Sequence, residues 1–102
     1  MIHVLATIEL FPSQRTAFLA EFHKLMPKVH AEHGCIEYGP AVELKTPIPI
    51  QSPPRDDVVL VIEKWEDVPA LEAHLAASHM AEYRAATAEM VRGITLHVLE
   101  PA

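Results

Sequence analysis

Residues 58–66 (VVLVIEKWE) constrain the fold more than any other stretch of this chain. Val59, Val61, Glu63 and Trp65 alternate with Val58, Leu60, Ile62 and Lys64, and the first five positions are apolar on both sides. β-branched residues dominate, so the segment reads as a strand. An antiparallel strand with one wet face alternates apolar with polar. This one does so only from Glu63 onward, so both faces of its first half are expected to be covered. Directly behind it, Asp67 is placed to cap a helix, its carboxylate accepting from free backbone N–H groups. Pro69 fits the first helical turn, where no intrahelical donor is lost. Leu71, His74, Leu75, Ser78 and His79 then fall at i, i+3, i+4, i+7 and i+8, on one helical face. Both histidines therefore lie on or beside the stripe that meets the sheet. Alternatively, Ser78 starts a fresh helix as its own N-cap. His79 would then sit in a first turn near the positive end of the helix dipole, which favours neutral imidazole. Tyr83 follows His79 at i+4, close enough to share a pocket wall.

The rest of the chain wraps around this unit. Ile2–Leu10 (IHVLATIEL) reads as the first strand, with Ile2, Val4, Ala6, Ile8 and Leu10 on one face. Phe11-Pro12-Ser13 is a turn, and Ser13 is a candidate N-cap. Residues 14–33 read as a helix in which Phe18, Phe22, Leu25, Met26 and Val29 recur at helical spacing. Pro27 cannot donate to the His23 carbonyl, so a kink or break is expected there, and Gly34 suits the position that ends the helix. Residues 35–44 (CIEYGPAVEL) form the second strand, where Gly39-Pro40 points to a bulge or an edge. Residues 45–57 (KTPIPIQSPPRDD) hold four prolines and no periodicity, a loop longer than most hairpin connections. Ile48 and Ile50 are oddly apolar for a free loop and point to an arm resting on something. The helix after Ser78 is expected to reach about residue 91, with Met80, Tyr83, Thr87 and Met90 inward and Gly93 ending it. Residues 94–100 (ITLHVLE) form the last strand.

The order β-α-β-β-α-β with right-handed crossovers gives an α+β fold of the ferredoxin-like split-sandwich type, one antiparallel sheet with helices on one face. The other face would be wet in a monomer, yet residues 58–62, Leu5 and Leu99 make it apolar. A second subunit packing sheet to sheet would cover it, so a homodimer is expected.

Composition narrows the partners. At 102 residues the chain is expected to be one domain, residues 1–102, small enough to benefit from a partner subunit. Acidic residues outnumber basic ones 14 to 8, a formal charge of −6, with no basic cluster. Nucleic acid and an anionic membrane surface are therefore excluded as expected partners, because both need a concentrated positive patch. No apolar run approaches the roughly 18 residues of a membrane span, and no signal-peptide pattern is visible. Cys35 is the only cysteine, so no internal disulfide can form, which fits a reducing cytoplasm.

Several segments together resemble the antibiotic biosynthesis monooxygenase family, in its small quinol-monooxygenase-like bacterial branch. They are IHVLATIEL, the helix ending AEHGCIEYGPAVE, the strand and turn VVLVIEKWED, the run ALEAHLAASHM and the closing HVLEP. The likeness covers nearly the whole chain apart from the proline loop. It implies a dimeric ferredoxin-like α+β barrel, in agreement with the reading above. It also implies one of several activities: cofactor-independent oxygenation of phenols, quinols or anthrones, haem degradation, or isomerisation of a phosphorylated signal molecule. Trp65 matches the family's tryptophan at the end of the third strand. His74 and His79 match an H-x4-H pair, and Glu32, Gly34 and Tyr38 match an E-x-G-x3-Y segment. The haem-degrading branch uses an asparagine in the first strand, where this chain has Thr7 nearby and no asparagine.

The expected function is therefore a cofactor-independent monooxygenase that oxidises an electron-rich aromatic with O2. His79 or His74 would be the general base, since histidine titrates near neutrality. Trp65, Tyr83, Tyr38 and Glu32 would contact substrate, and no cofactor or metal is expected. The bland alternatives are satisfied half-buried histidines, a core tryptophan and a capping Glu32. His30 and His33 with Glu37 beyond could be metal ligands, but Gly34 turns the chain between them, so a solvated helix end is the preferred reading. Two other functions stay open: a non-catalytic ligand-binding dimer, favoured by a closed, side-chain-filled pocket, and an isomerase. The isomerase would need a phosphate-facing cation, for which Lys64, Lys45 and Arg84 are the candidates.

Overall fold

A computed structural model describes residues Met1–Ala102. The elements run β1 (Ile2–Leu10), α1 (Arg15–His30), β2 (Cys35–Ala41), β3 (Val58–Trp65), α2 (Val68–Ala76), α3 (Ser78–Thr87) and β4 (Val91–Leu99). The four strands form one antiparallel sheet in the order β2-β3-β1-β4. This is the α+β split-sandwich arrangement expected, with the second helical segment divided in two. Each crossover skips one strand: α1 carries the chain from β1 over β3 to β2, and α2–α3 carry it from β3 over β1 to β4.

The helices cover one face of the sheet. Val4, Ala6, Ile8 and Leu10 of β1 and Val59, Val61 and Trp65 of β3 meet Phe18, Phe22, Leu25 and Val29 of α1 in a single apolar core. Phe18 and Phe22 are fully buried, which contributes about 1.5–3 kcal/mol each. Asp67 caps α2 as expected, its Oδ1 accepting from Ala70 N–H at 2.9 Å, with Pro69 in the first turn.

Several boundaries differ from the sequence expectations, each for a local reason. Ser13 is not the cap of α1. It adopts a φ of 69° in the turn, and Gln14 occupies the N-cap without a side-chain bond. Pro27 does not break α1, which continues to His30. The helix ends three residues before the expected 33, where Glu32 N–H closes a tight turn onto the Val29 carbonyl at 2.9 Å. Gly34, with φ of 80°, belongs to the following turn. The second strand ends at Ala41 and is an edge strand, as Gly39-Pro40 indicated. Its register shift lies between Cys35 and Glu37 instead, and Gly39 and Pro40 pair regularly with Ile62 and Val61. Gly93 ends no helix. The chain leaves α3 at Thr87, because Phe11 N–H takes the Met90 carbonyl and draws the segment into β4, where Gly93 pairs with Glu9.

The outer half of the sheet is open. Ile62 is 43% exposed, so within one chain the two faces of β3 are not both covered. Glu63 shares a face with Val59, Val61 and Trp65, as the alternation indicated, and that face is the core side, so its carboxyl is only 5% exposed. On β4, Ile94, Leu96 and Val98 pair with the buried Ile8, Ala6 and Val4, yet remain 45–60% exposed because no helix reaches that edge. In the proline loop Arg55 bridges to Glu43 at 2.7 Å, while Ile50 is 95% exposed and rests on nothing in its own chain.

Candidate active site

Three side chains from three parts of the sequence converge at the carboxyl end of α1. Glu32 Oε2 lies 2.8 Å from His74 Nδ1 and 2.8 Å from His79 Nε2. The turn that carries Glu32 is held by its neighbours. Glu66 N–H donates to the Gly34 carbonyl at 2.8 Å. A Cβ on Gly34 would stand 2.7 Å from Ala70 Cβ, so only glycine lets the turn lie this close to α2 with its positive φ.

The two histidines reach one carboxylate because the helix breaks between them. At 100° per residue, five residues of continuous helix would separate them by about 140°. Ala77 instead adopts an extended conformation (φ −66°, ψ 145°), closing α2 and opening α3. A fresh helix does begin at Ser78, but Ala77 takes the N-cap position and no side chain caps it. His79 thus sits in the first turn of α3.

The two imidazoles differ in environment. His74 is 1% exposed, against Trp65 (ring centroids 4.6 Å apart) and Tyr38 (5.3 Å). Burial pushes its pKa down, and the Glu32 hydrogen bond and charge only partly oppose that, so His74 favours the neutral form. His79 is half-open, its side chain one-fifth exposed. It lines a groove of about 200 Å³ between α1 and α3, together with Tyr83, Leu25 and the lysines Lys24 and Lys28. An ionised Glu32 can only accept hydrogen bonds. Each neutral imidazole must then direct N–H at it: Nδ1–H from His74, Nε2–H from His79. That tautomer leaves Nδ1 of His79 with its lone pair free.

The remaining expected site residues are distributed around this centre. Trp65 is fully buried and Tyr38 is 5% exposed, its ring stacked on Phe22 at 5.3 Å and 10°. Both pack against His74 from within the core, and neither lines the groove beside His79. Tyr83 packs edge-on against Phe18 and Phe22 and meets the groove beside His79. Burial raises both phenols above the ordinary tyrosine range. His30, His33 and Glu37 do not converge. His30 Nε2 donates to the Tyr38 carbonyl at 2.7 Å, His33 is solvent-exposed beside Glu66, and Glu37 pairs with Lys64 at 3.1 Å.

Glu63 was not singled out by the sequence reading. It accepts from Trp65 Nε1 at 2.9 Å inside the core. Burial pushes its pKa up to about 7, the Trp65 hydrogen bond opposes this, and the Glu32 charge adds to it. The available signal was its parity with Val61 and Trp65, two residues to either side on one strand face.

Fold and site together define a small split-sandwich domain with a His–Glu–His cluster beside an aromatic core. The pattern described as Antibiotic biosynthesis monooxygenase matches residues 1–86, and the chain belongs to that family. It is 38% identical to "Probable quinol monooxygenase YgiN" of Escherichia coli strain K12, over 99% of this chain and 98% of that protein. Solved structures share the fold. A conserved protein from Methanosarcina mazei superposes with a TM-score of 0.82 at 22% identity, covering 99% of this chain and 92% of that one. A structure described as an antibiotic biosynthesis monooxygenase superposes at 0.79 with 23% identity, covering 100% and 99%.

Proposed function

We propose that this chain is a cofactor-independent monooxygenase of electron-rich aromatics such as quinols, phenols or anthrones, acting as a homodimer in the cytoplasm. The observation that carries the reading is the single Glu32 oxygen shared by two imidazoles, one buried and one open to a groove. His79 Nδ1 takes the phenolic proton, and Glu32 stabilises the imidazolium that forms. His74, fixed against Trp65, holds Glu32 in place. The resulting anion is electron-rich enough to pass an electron to O2. The radical pair combines, one oxygen atom stays on the ring and the other leaves as water. For a simple hydroquinone the balance is quinol plus O2 to hydroxyquinone plus water.

The groove volume suits one aromatic ring, since a cavity of about 150 Å³ holds benzene. The name of the 38% identical relative supports the same class of substrate. The exposed Ile94, Leu96 and Val98 on β4, with Leu5, Ile62 and Leu99 on the open sheet face, support a second subunit as cover. The isomerase reading is weaker: Lys64 pairs with Glu37, Arg84 donates to the Leu75 carbonyl, and the two lysines that do line the groove are each beside a carboxylate, Lys24 with Glu21 and Lys28 with Glu82. The filled core around Trp65 favours the non-catalytic reading only if the groove binds nothing.

The test is oxygen uptake by untagged, metal-stripped protein across a panel of hydroquinones and anthrone-like phenols, with autoxidation subtracted. Protein-dependent uptake that disappears in His79→Ala and drops at least about a hundredfold is expected, the usual scale for losing a general base. Unchanged turnover in that variant would remove His79 from the chemistry.

A further inference from the structure

We propose that Glu32, His74 and His79 also form a binding site for a divalent transition metal, beside the α1/α3 groove, and that a metal bound there silences His79 as a base. The silencing half rests on the function proposed above; the metal site does not.

The geometry is close to that of a ligand set. His74 Nδ1, His79 Nε2 and a Glu32 carboxylate oxygen all lie within 4.8 Å of one another. A tetrahedral ion with bonds of about 2.0–2.2 Å holds its ligand atoms roughly 3.3–3.5 Å apart. The two Glu32–His spacings of 2.8 Å need open by only about half an ångström. The parts that must move can do so: Glu32 sits in a turn after α1, and His79 is partly exposed in the first turn of α3. His74, wedged between Trp65 and Tyr38, supplies the fixed anchor.

The donor chemistry selects the ion. Two imidazoles and one carboxylate suit zinc, iron(II) or cobalt(II), whereas magnesium and calcium prefer all-oxygen shells. Three protein ligands leave at least one position open to water or an added ligand.

Metal occupancy and base function exclude each other for a simple reason. With a cation on Nε2 of His79, the one proton of the neutral ring must sit on Nδ1. That nitrogen is the one left for the groove, and it then has no lone pair to accept a phenolic proton. Glu32, coordinated, can no longer stabilise the imidazolium.

The experiment titrates Co²⁺ into untagged, chelator-treated protein and follows visible absorption, then displaces Co²⁺ with Zn²⁺. One Co²⁺ per chain is expected, with the intense bands of four- or five-coordination. Affinity should fall at least about tenfold in Glu32→Gln and His79→Ala and stay unchanged in His33→Ala, whose ring is solvent-exposed. Circular dichroism of each variant checks that the fold persists. A pale, hexa-aqua-like spectrum, or equal affinity in all variants, overturns the site. Oxygen uptake should fall in step with Zn²⁺ occupancy, and uptake unaffected at saturation overturns the silencing. Metal binding with no uptake under any condition counts against the oxygenase reading and leaves the metal site standing.

Discussion

Replacing Glu63 by Gln should raise stability at alkaline pH and leave it nearly unchanged in acid. In the folded chain Glu63 is buried beside Trp65, and its pKa rises from 4.5 to about 7. The folded state therefore binds a proton more tightly than the unfolded chain. Its contribution is full below pH 4.5 and is lost as pH rises through about 7. The gap between 4.5 and about 7 corresponds to about 3 kcal/mol, most of it lost by pH 8. Gln keeps a carbonyl to accept from Trp65 Nε1 and cannot ionise. The variant's offset from packing differences is constant with pH, so the informative quantity is the wild-type-minus-variant difference. Urea unfolding of both proteins at pH 4.5, 6, 7 and 8 measures it, and titrating groups that are not coupled to Glu63 cancel. The variant should gain about 3 kcal/mol on the wild type between pH 4.5 and pH 8, which for a domain of this size moves the melting temperature by about 10 °C or more. A difference that is flat with pH, or that grows as pH falls, would show that Glu63 is ionised in the folded chain and would refute the reasoning.

Two further outcomes are expected. Gly34→Ala should destabilise the chain by about 1–3 kcal/mol, through the positive φ and the 2.7 Å approach to Ala70, and should slow any turnover by displacing Glu32. Adding Ala70→Gly should restore only part of that stability in urea titrations, because the backbone strain remains. Leu96→Glu, placed on the exposed apolar edge of β4, should convert a dimer to a monomer in sedimentation velocity; an unaltered assembly would move the interface elsewhere.

Local patterns carried most of the architecture. The strands, the Asp67 cap and the Phe18–Phe22–Leu25–Val29 face depend on neighbours within a turn or a pleat, so the sequence alone determined them. The histidine pair was legible too, through its spacing and its family likeness. Element ends were not: the last helix stops at Thr87, short of the expected residue 91, because Phe11, far away in the chain, takes the Met90 carbonyl. Glu63 was placed on the face of Val61 and Trp65, but its burial was not legible, because a carboxyl in a core opposes its own hydration and its partner, the Trp65 indole N–H, is fixed only by the fold. Glu32 lies 42 residues from His74 and 47 from His79. No local rule joins groups that far apart. Their meeting required the break at Ala77, the tight turn at Gly34 and the packing of α2 on the sheet, which are decided together and only in three dimensions.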